Sequence, residues 1–76
     1  MSAASNEPEP GRYCHFKGGE YEVLGVATHS ETQERYVVYR PLSGDSGMWV
    51  RPLAMFVERV IHNGVEVLRF TRIGDA

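Results

Sequence analysis

The sequence has little that would mark a secreted or membrane protein. Its 76 residues contain one cysteine, Cys14, which has no partner for an internal disulfide. No apolar run approaches the roughly 20 residues that a membrane-spanning helix needs. Residues 1–10 have neither a basic start nor an apolar stretch, so they do not resemble a signal peptide. We therefore expect a cytoplasmic protein with no membrane partner.

The chain also lacks a large charge of either sign. Eight basic and ten acidic residues give a formal net charge of −2 at pH 7, which does not by itself predict a nucleic-acid or membrane-surface partner. With 42% hydrophobic and 24% charged residues, the composition is that of an ordinary globular protein. A chain this short is expected to form one domain and to bury roughly 60% of its unfolded surface.

Apolar residues are scarce at the two ends, which predicts three segments. Residues 1–10 contain two prolines and no aromatic residue and predict a disordered tail. Residues 11–73 predict the folded domain, and residues 74–76 predict a frayed C-terminus. Without Glu7, Glu9 and Asp75, seven of the ten acidic residues remain against eight basic residues, seven of which are arginine. The domain is therefore slightly basic and rich in arginine.

Turn signals recur along the domain and separate runs rich in β-branched and aromatic residues, which predicts short strands. The predicted strands cover residues 20–28, 35–40 and 48–51, followed by a hairpin of residues 57–62 and 65–70. Asn63-Gly64 predicts the type I′ turn of that hairpin, because both central residues of such a turn need positive φ. The register places His62 opposite Val65 and Glu58 opposite Arg69. The inward face is expected to carry Val57, Ile61, Leu68 and Phe70.

Before the hairpin, Pro52 can begin one short helical turn over residues 52–56. An all-β chain with about five strands and one such turn is typical of a small SH3-like β-barrel. An OB-like barrel is the alternative, although it normally has longer strands and a helix between the third and fourth.

Several motifs resemble those of the bacterial domain-of-unknown-function family 1653. They are Gly11-Arg12-Tyr13-Cys14-His15-Phe16-Lys17-Gly18, Tyr21-Glu22-Val23-Leu24, His29-Ser30-Glu31, Val38-Tyr39-Arg40 and Trp49-Val50-Arg51-Pro52-Leu53-Ala54-Met55-Phe56. The resemblance runs from about Gly11 to Phe70. It implies an SH3-like barrel and brings no catalytic or ligand-binding residues with it.

The residues with reactive side chains do not form a recognised catalytic or metal motif. Cys14 and His15 are adjacent on a predicted strand, so their side chains are expected to point to opposite faces. We therefore expect a buried or half-buried thiol and no catalytic residue at this position. The three histidines, His15, His29 and His62, lack the spacing of a zinc site. No metal and no cofactor are predicted.

Aromatic and cationic residues form the main candidate binding surface. In Met48-Trp49-Val50-Arg51 the alternation places Trp49 and Arg51 on one face, which is exposed if Met48 and Val50 fill the core. Exposed tryptophan beside arginine can bind a base, a carboxylate, a phosphate or an extended peptide. Alternatively, Trp49 covers the core and Arg51 lies over it, paired with Glu31, Glu34 or Glu58. The candidate ligand-binding residues are Trp49, Arg51, Arg40, Tyr39, His15, Lys17, His29 and Glu31.

Three functions follow from these residues. The first is a noncatalytic, monomeric binding module that recognises an anionic or extended ligand, either a peptide or a nucleic acid, through the arginine and aromatic surface. The second is a small enzyme or nucleotide-processing accessory that uses His15, His29 and Glu31 as acid and base groups. The third is an interaction protein that pairs with another chain through an edge strand.

Overall fold

The fold was examined in a computed structural model, which describes residues 7–43 and 47–75. Seven strands and one short helix follow one another along these residues. They are β1 (Gly11–His15), β2 (Glu20–Thr28), β3 (Arg35–Pro41), β4 (Trp49–Pro52), α1 (Leu53–Phe56), β5 (Arg59–His62), β6 (Val65–Leu68) and β7 (Phe70–Gly74). The prediction of an all-β protein with one short helical turn is confirmed, as are the positions of the strands β2, β3 and β4 to within a residue.

Five of the strands form one antiparallel sheet in the order β4-β3-β2-β1-β7. Neighbours β1 to β4 are joined by short connections, of which the β1–β2 turn has φ angles of 98° at Gly18 and 91° at Gly19. These angles favour glycine at both positions. The register of β2 against β3 shifts between Val23 and Gly25, and such an irregularity bends the long central strand.

The remaining strands, β5 and β6, form a separate two-stranded hairpin. Its turn has φ angles of 55° at Asn63 and 79° at Gly64, as a type I′ turn requires. His62 pairs with Val65 and Val60 with Val67, so the predicted register is confirmed. Just beyond the paired residues, an Arg69 terminal nitrogen lies 3.0 Å from the Glu58 carboxylate.

Two details of the hairpin prediction are wrong. The second arm ends at Leu68, and the chain then crosses to the large sheet, where β7 pairs with β1. The crossing occurs at Arg69, whose N–H donates to the Glu58 carbonyl and whose carbonyl accepts from the Phe16 N–H. The inward face also differs: of the four residues predicted there, Phe70 is buried but Ile61 is 70% exposed, and Val60 and Val67 of the other face are half-buried. Both hairpin faces carry apolar residues, so alternation alone could not identify the buried one.

The core lies on the inner face of the five-stranded sheet, beneath the short helix. It is formed by side chains from five different elements: Tyr13, Val23, Val37, Tyr39, Phe56 and Phe70. Phe56 of α1 and Phe70 of β7 stack with ring centroids 4.1 Å apart and planes within 2° of parallel. Proline at 52 suits the helix start, because the first helical N–H groups have no partner within the helix. The helix therefore serves mainly to bring Phe56 over the sheet.

The hydrogen-bonded order of the large sheet ends at β4 on one side and at β7 on the other. Among the described residues the sheets are therefore not closed into a barrel, and the SH3-like assignment stays a prediction. Within residues 7–43 and 47–75, no helix is long and apolar enough to cross a membrane.

The predicted ends fall partly outside the described residues. Residues 1–6 of the predicted tail, residues 44–46 and Ala76 lie outside the described residues. Within residues 7–10, the Glu7 carboxylate accepts a hydrogen bond of 3.0 Å from Arg35 Nε, and the Pro10 carbonyl accepts one from Arg72. Gly74 is the last residue of β7 and pairs with Arg12. The three-segment division stays a prediction.

Candidate functional site

Trp49 and Arg51 lie on the same side of β4 as the core, at its open margin. Trp49 pairs with Tyr39 of β3, and the two rings meet edge to face with centroids 6.0 Å apart. Met48 is 68% exposed and Val50 is 61% exposed on the opposite side. The interpretation that Met48 and Val50 fill the core is therefore wrong. Trp49 nevertheless remains 41% exposed, because β4 is the last strand of the sheet.

Arg51 is half-buried between an aromatic ring and a hydroxyl group. Its Nε donates a hydrogen bond of 3.2 Å to the Tyr39 hydroxyl, and its guanidinium carbon lies 5.6 Å from the centre of the Phe70 ring. The sequence interpretation paired Arg51 with Glu31, Glu34 or Glu58, but Glu34 bonds to Tyr36 and Glu58 to Arg69. A guanidinium has five N–H donors. The Arg51 guanidinium therefore retains donors for a ligand, since only its Nε has a partner among the described residues.

His15 lies beside this arginine at the end of β1. Its ring meets Phe70 edge to face at 5.0 Å between centroids, and its Nδ1 accepts a hydrogen bond of 3.1 Å from the Lys17 N–H. Burial lowers the pKa of His15 below its ordinary value, and the positive charges of Arg51, Arg69 and Lys17 lower that pKa further. His15 thus stands among three cations, with Arg51 contributing most of the three.

The distribution of ion pairs distinguishes this region from the rest of the surface. Five of the eight basic side chains pair with a carboxylate: Arg12, Arg35, Arg40, Arg69 and Arg72. Among the described residues, Lys17, Arg51 and Arg59 have no such partner, and two of these three flank His15. Arg69 pairs with Glu58, but its Nε is buried without a partner in the described chain. Positive charge is therefore less neutralised around His15 than elsewhere.

We refer to Tyr39, Trp49, Arg51, His15 and Lys17 together as the Arg51 surface. Their side chains are placed by three strands of the large sheet and one turn: β1 carries His15, β3 carries Tyr39, β4 carries Trp49 and Arg51, and the β1–β2 turn carries Lys17. The Lys17 ammonium lies 5.7 Å from the centre of the neighbouring Phe16 ring. His15 and Arg51 both contact the Phe70 ring, so aromatic rings and cations lie close together on the inner side of the sheet. There they can bind a group that is both planar and negatively charged.

Three predicted site residues lie elsewhere. Arg40 points to the outer face of β3 and pairs with the Glu22 carboxylate at 2.6 Å. His29 follows the far end of β2, where its Nδ1 accepts hydrogen bonds of 3.2 Å from the N–H groups of Glu31 and Thr32. His29 and Glu31 therefore shape the β2–β3 turn. His15, His29 and Glu31, suggested as acid and base groups, do not lie together. His15 lies near the start of β2, whereas His29 and Glu31 follow its end.

Two aromatic residues of the site were missed by sequence reasoning. Tyr21 lies behind Trp49 and Tyr39, at centroid distances of 6.1 Å and 5.6 Å respectively. Phe70 forms the floor between His15 and Arg51. Tyr21 lies two residues before the buried Val23 on β2, so its side chain points to the same inner face. Phe70 carried no comparable signal, because it was assigned to the hairpin.

Cys14 lies on the opposite side of β1 from Tyr13 and is half-buried. Its thiol donates to the main-chain carbonyl of His15 at 3.5 Å and borders a cleft of about 370 Å³ that Val67 and Thr71 also line. In the part of the chain that the structure describes, no three histidine, cysteine, aspartate or glutamate side chains are grouped as metal ligands would be.

The fold and the Arg51 surface define a small all-β protein with a mixed aromatic and cationic margin. The comparisons with known proteins agree with the family resemblance of the sequence. The family model for a protein of unknown function, DUF1653, matches residues 11–72. The chain therefore belongs to this family.

One solved structure is similar to the chain over nearly its whole length. It is the crystal structure of a DUF1653 protein from Bordetella bronchiseptica, with 36% sequence identity, a TM-score of 0.84 and coverage of 96% of each chain. No curated protein matches the sequence.

Proposed function

We propose that the chain is a noncatalytic binding module that recognises an anionic group through the Arg51 surface. The observation that carries this proposal is the position of Arg51. Its guanidinium is held by the Tyr39 hydroxyl and the Phe70 ring, and no described carboxylate neutralises it. An arginine whose stem and Nε are fixed while its other donors stay free is preorganised for a carboxylate or phosphate.

Neighbouring charges and rings support the same function. Lys17 and Arg69 add positive potential near His15, and Trp49 offers a partly exposed ring next to Arg51. A neutral His15 can also donate from Nε2, because its Nδ1 already accepts from the Lys17 N–H. A ligand that carries an anionic group beside an apolar or planar group would use all of these features.

An enzymatic function has less support from the geometry. The predicted acid and base residues are divided between the two ends of β2. General acid and base catalysis needs two groups within reach of one substrate. The Arg51 surface provides anion-binding groups but no carboxylate base among the described residues.

The strand arrangement supports the SH3-like assignment as part of the proposal. Strands β1 to β4 follow one another across the sheet, one helical turn comes after β4, and the last strand returns beside β1. The β5–β6 hairpin is then an addition between the helical turn and the last strand. We also place the protein in the cytoplasm as a monomer, because its single thiol needs no oxidising compartment.

Titration followed by NMR tests the binding function. Hexaglutamate and single-stranded hexauridylate, added at low salt, are expected to shift the Trp49 indole and Arg51 amide resonances if the surface binds anions. Arg51→Gln should weaken binding of the responding probe about tenfold, the loss of one charge-assisted hydrogen bond.

Arg40→Gln is the matched control, because it removes the same charge from the opposite face of the sheet. Binding should then change by less than about twofold at moderate salt. No shift with either probe, or equal losses in the two variants, would show that the Arg51 surface is not an anion site.

A further inference from the structure

The large sheet has two outer edges, formed by β4 and β7. On β7, the Arg72 guanidinium already donates to the Pro10 carbonyl and to the Asp75 carboxylate. β4 pairs only with β3 among the described residues, and its far side has no strand beside it. The β4 edge also carries the two central residues of the Arg51 surface. Any chain that adds to β4 therefore meets Arg51 directly.

The proline at the end of β4 indicates which main-chain groups face away from β3. Pro52 lies opposite Tyr36 and has no N–H, and a proline in an edge strand lies where its amide would face outward. Hydrogen-bonding direction alternates along an antiparallel strand. Val50, two residues before Pro52, then directs its N–H and C=O outward, while Trp49 and Arg51 bond to β3. One free donor and acceptor pair is thus centred on Val50.

The side chains on the two faces of β4 determine which residue types an added strand should carry. A residue opposite Val50 places its side chain on the outer face, beside the exposed Val50 and Met48. The residues before and after it point to the inner face, beside Trp49 and Arg51. The outer neighbour should therefore be apolar, and at least one inner neighbour should be acidic.

We propose that β4 is the docking edge for an extended peptide that alternates acidic and apolar residues and adds to the sheet as a further strand. The main chain of the peptide pairs with Val50, and a carboxylate binds the free donors of Arg51. This inference rests on the proposed anion-binding function and names its partner. An acidic peptide fits better than a nucleic acid, because the groups facing outward at Val50 bond a peptide main chain and its side chain is apolar.

The test uses the full chain and a capped pentapeptide of alternating glutamate and valine. Two methylated forms separate strand addition from simple anion binding. N-methylation of the valines removes the donors that would face β4, whereas N-methylation of the glutamates alters amides that would face solvent. We expect the unmodified peptide to shift the Val50 and Arg51 amides. The valine-methylated form should bind about tenfold weaker, and the glutamate-methylated form should bind within about twofold of the parent.

A protein variant provides the complementary test. Val50→Pro removes the outward N–H at a position where an edge strand tolerates proline, and it should abolish the difference between the two methylated peptides. If this variant does not fold, as judged by circular dichroism, the methylated peptides still decide the question on the unmodified protein.

The outcomes separate this inference from the function on which it rests. Equal binding of both methylated peptides, with binding still lost in Arg51→Gln, would overturn strand addition while the anion site stands. No response of Arg51 to any peptide or to hexauridylate would overturn both. Tighter binding of hexauridylate with no shift at Val50 would overturn the peptide assignment. A dimer in sedimentation that Val50→Pro dissociates would show that a second copy occupies the edge, and would also overturn it.

Discussion

The two faces of β3 and β4 are built from alternating residues of the same strands, yet an arginine on one face is paired with a carboxylate and an arginine on the other is not. On the outer face, Arg40 pairs with the Glu22 carboxylate of β2. On the inner face, Arg51 meets only the hydroxyl of Tyr39 and the ring of Phe70. An exposed ion pair contributes at most about 1 kcal/mol to stability. Arg40 is thus a neutralised surface charge, whereas Arg51 retains unused binding capacity.

Packing differs between the faces in the same way. Val37 is fully buried on the inner face at 0% exposure, while Val50 on the outer face is 61% exposed. The inner face therefore carries both the core and, at its margin, the candidate site. Because the core extends directly into the Arg51 surface through Tyr39 and Phe70, changes that loosen the inner face should affect both stability and binding. Changes to the outer face should affect neither strongly.

The largest expected effect follows from removing Phe56, whose ring covers the core on the inner face of the sheet. Phe56→Ala removes a ring that is 2% exposed and stacked on Phe70. Such a truncation costs about 3–5 kcal/mol, which approaches the whole stability of a small domain. We expect Phe56→Ala to be largely unfolded in urea titrations followed by circular dichroism.

Its neighbour Met55 provides the control, because it lies on the same helix turn and is exposed. Met55→Ala should change the free energy of unfolding by less than about 1 kcal/mol. Similar losses in the two variants would show that α1 does not cover the core as described.

A valine in each face offers a matched comparison of packing. Val37→Ala deletes the same two methyl groups as Val50→Ala, but only Val37 is enclosed on all sides. We expect Val37→Ala to lower the free energy of unfolding by about 2 kcal/mol and Val50→Ala to change it by about 0.5 kcal/mol or less. Urea midpoints at constant slope measure both values. Equal effects would contradict the assignment of inner and outer faces.

Features that depend on neighbouring residues were predicted from the sequence. Asn63-Gly64 determined the turn type and hairpin register, because positive φ at both positions is a local requirement. The order of turns and β-rich runs was enough to identify an all-β domain and the positions of β2, β3 and β4.

Features that depend on distant packing were not predicted. The alternation in β4 grouped Trp49 with Arg51, but it did not show which face turns inward, since the more apolar pair, Met48 and Val50, lies on the exposed face. Phe70 looked like the end of a hairpin because its true partner, His15 in β1, lies far away in the sequence. The sequence therefore singled out all five residues of the Arg51 surface but grouped them with Arg40, His29 and Glu31, which lie elsewhere in the structure. It did not single out Tyr21 and Phe70, which contact the surface.

A smaller effect should follow from removing the hydroxyl that holds Arg51. Tyr39→Phe deletes the acceptor of the Arg51 Nε–H bond and leaves that donor without a partner. We expect a loss of about 1 kcal/mol in the free energy of unfolding, together with a shift of the Arg51 Nε–H resonance. Tyr36→Phe is the outer-face control, because the Tyr36 hydroxyl donates to the exposed Glu34 carboxylate. A larger loss in the control would contradict a special role of the Arg51 contact.

The smallest expected effect is the response of His15 to pH. Because burial and the charges of Arg51, Arg69 and Lys17 lower its pKa below the ordinary 6.5, the folded chain takes up this proton less readily than the unfolded chain. The contribution of His15 to stability is therefore complete above about pH 6.5 and is lost as the pH falls through the lowered pKa. Denaturation midpoints measured on either side of pH 6.5 should decrease toward acid, and His15→Gln should make that decrease less steep.

The two faces make the cause of this shift testable. Of the three charges, that of Arg51 lowers the pKa of His15 most, so Arg51→Gln should raise this pKa toward 6.5. Arg40→Gln removes an equal charge from the outer face and should leave the pKa of His15 unchanged. NMR titration of the His15 ring resonances measures the pKa in both variants. An equal rise in the two would mean that the overall charge of the protein sets this pKa. Arg51 would then have no stronger effect on His15 than Arg40 has, and the proposed difference between the two arginines would be wrong.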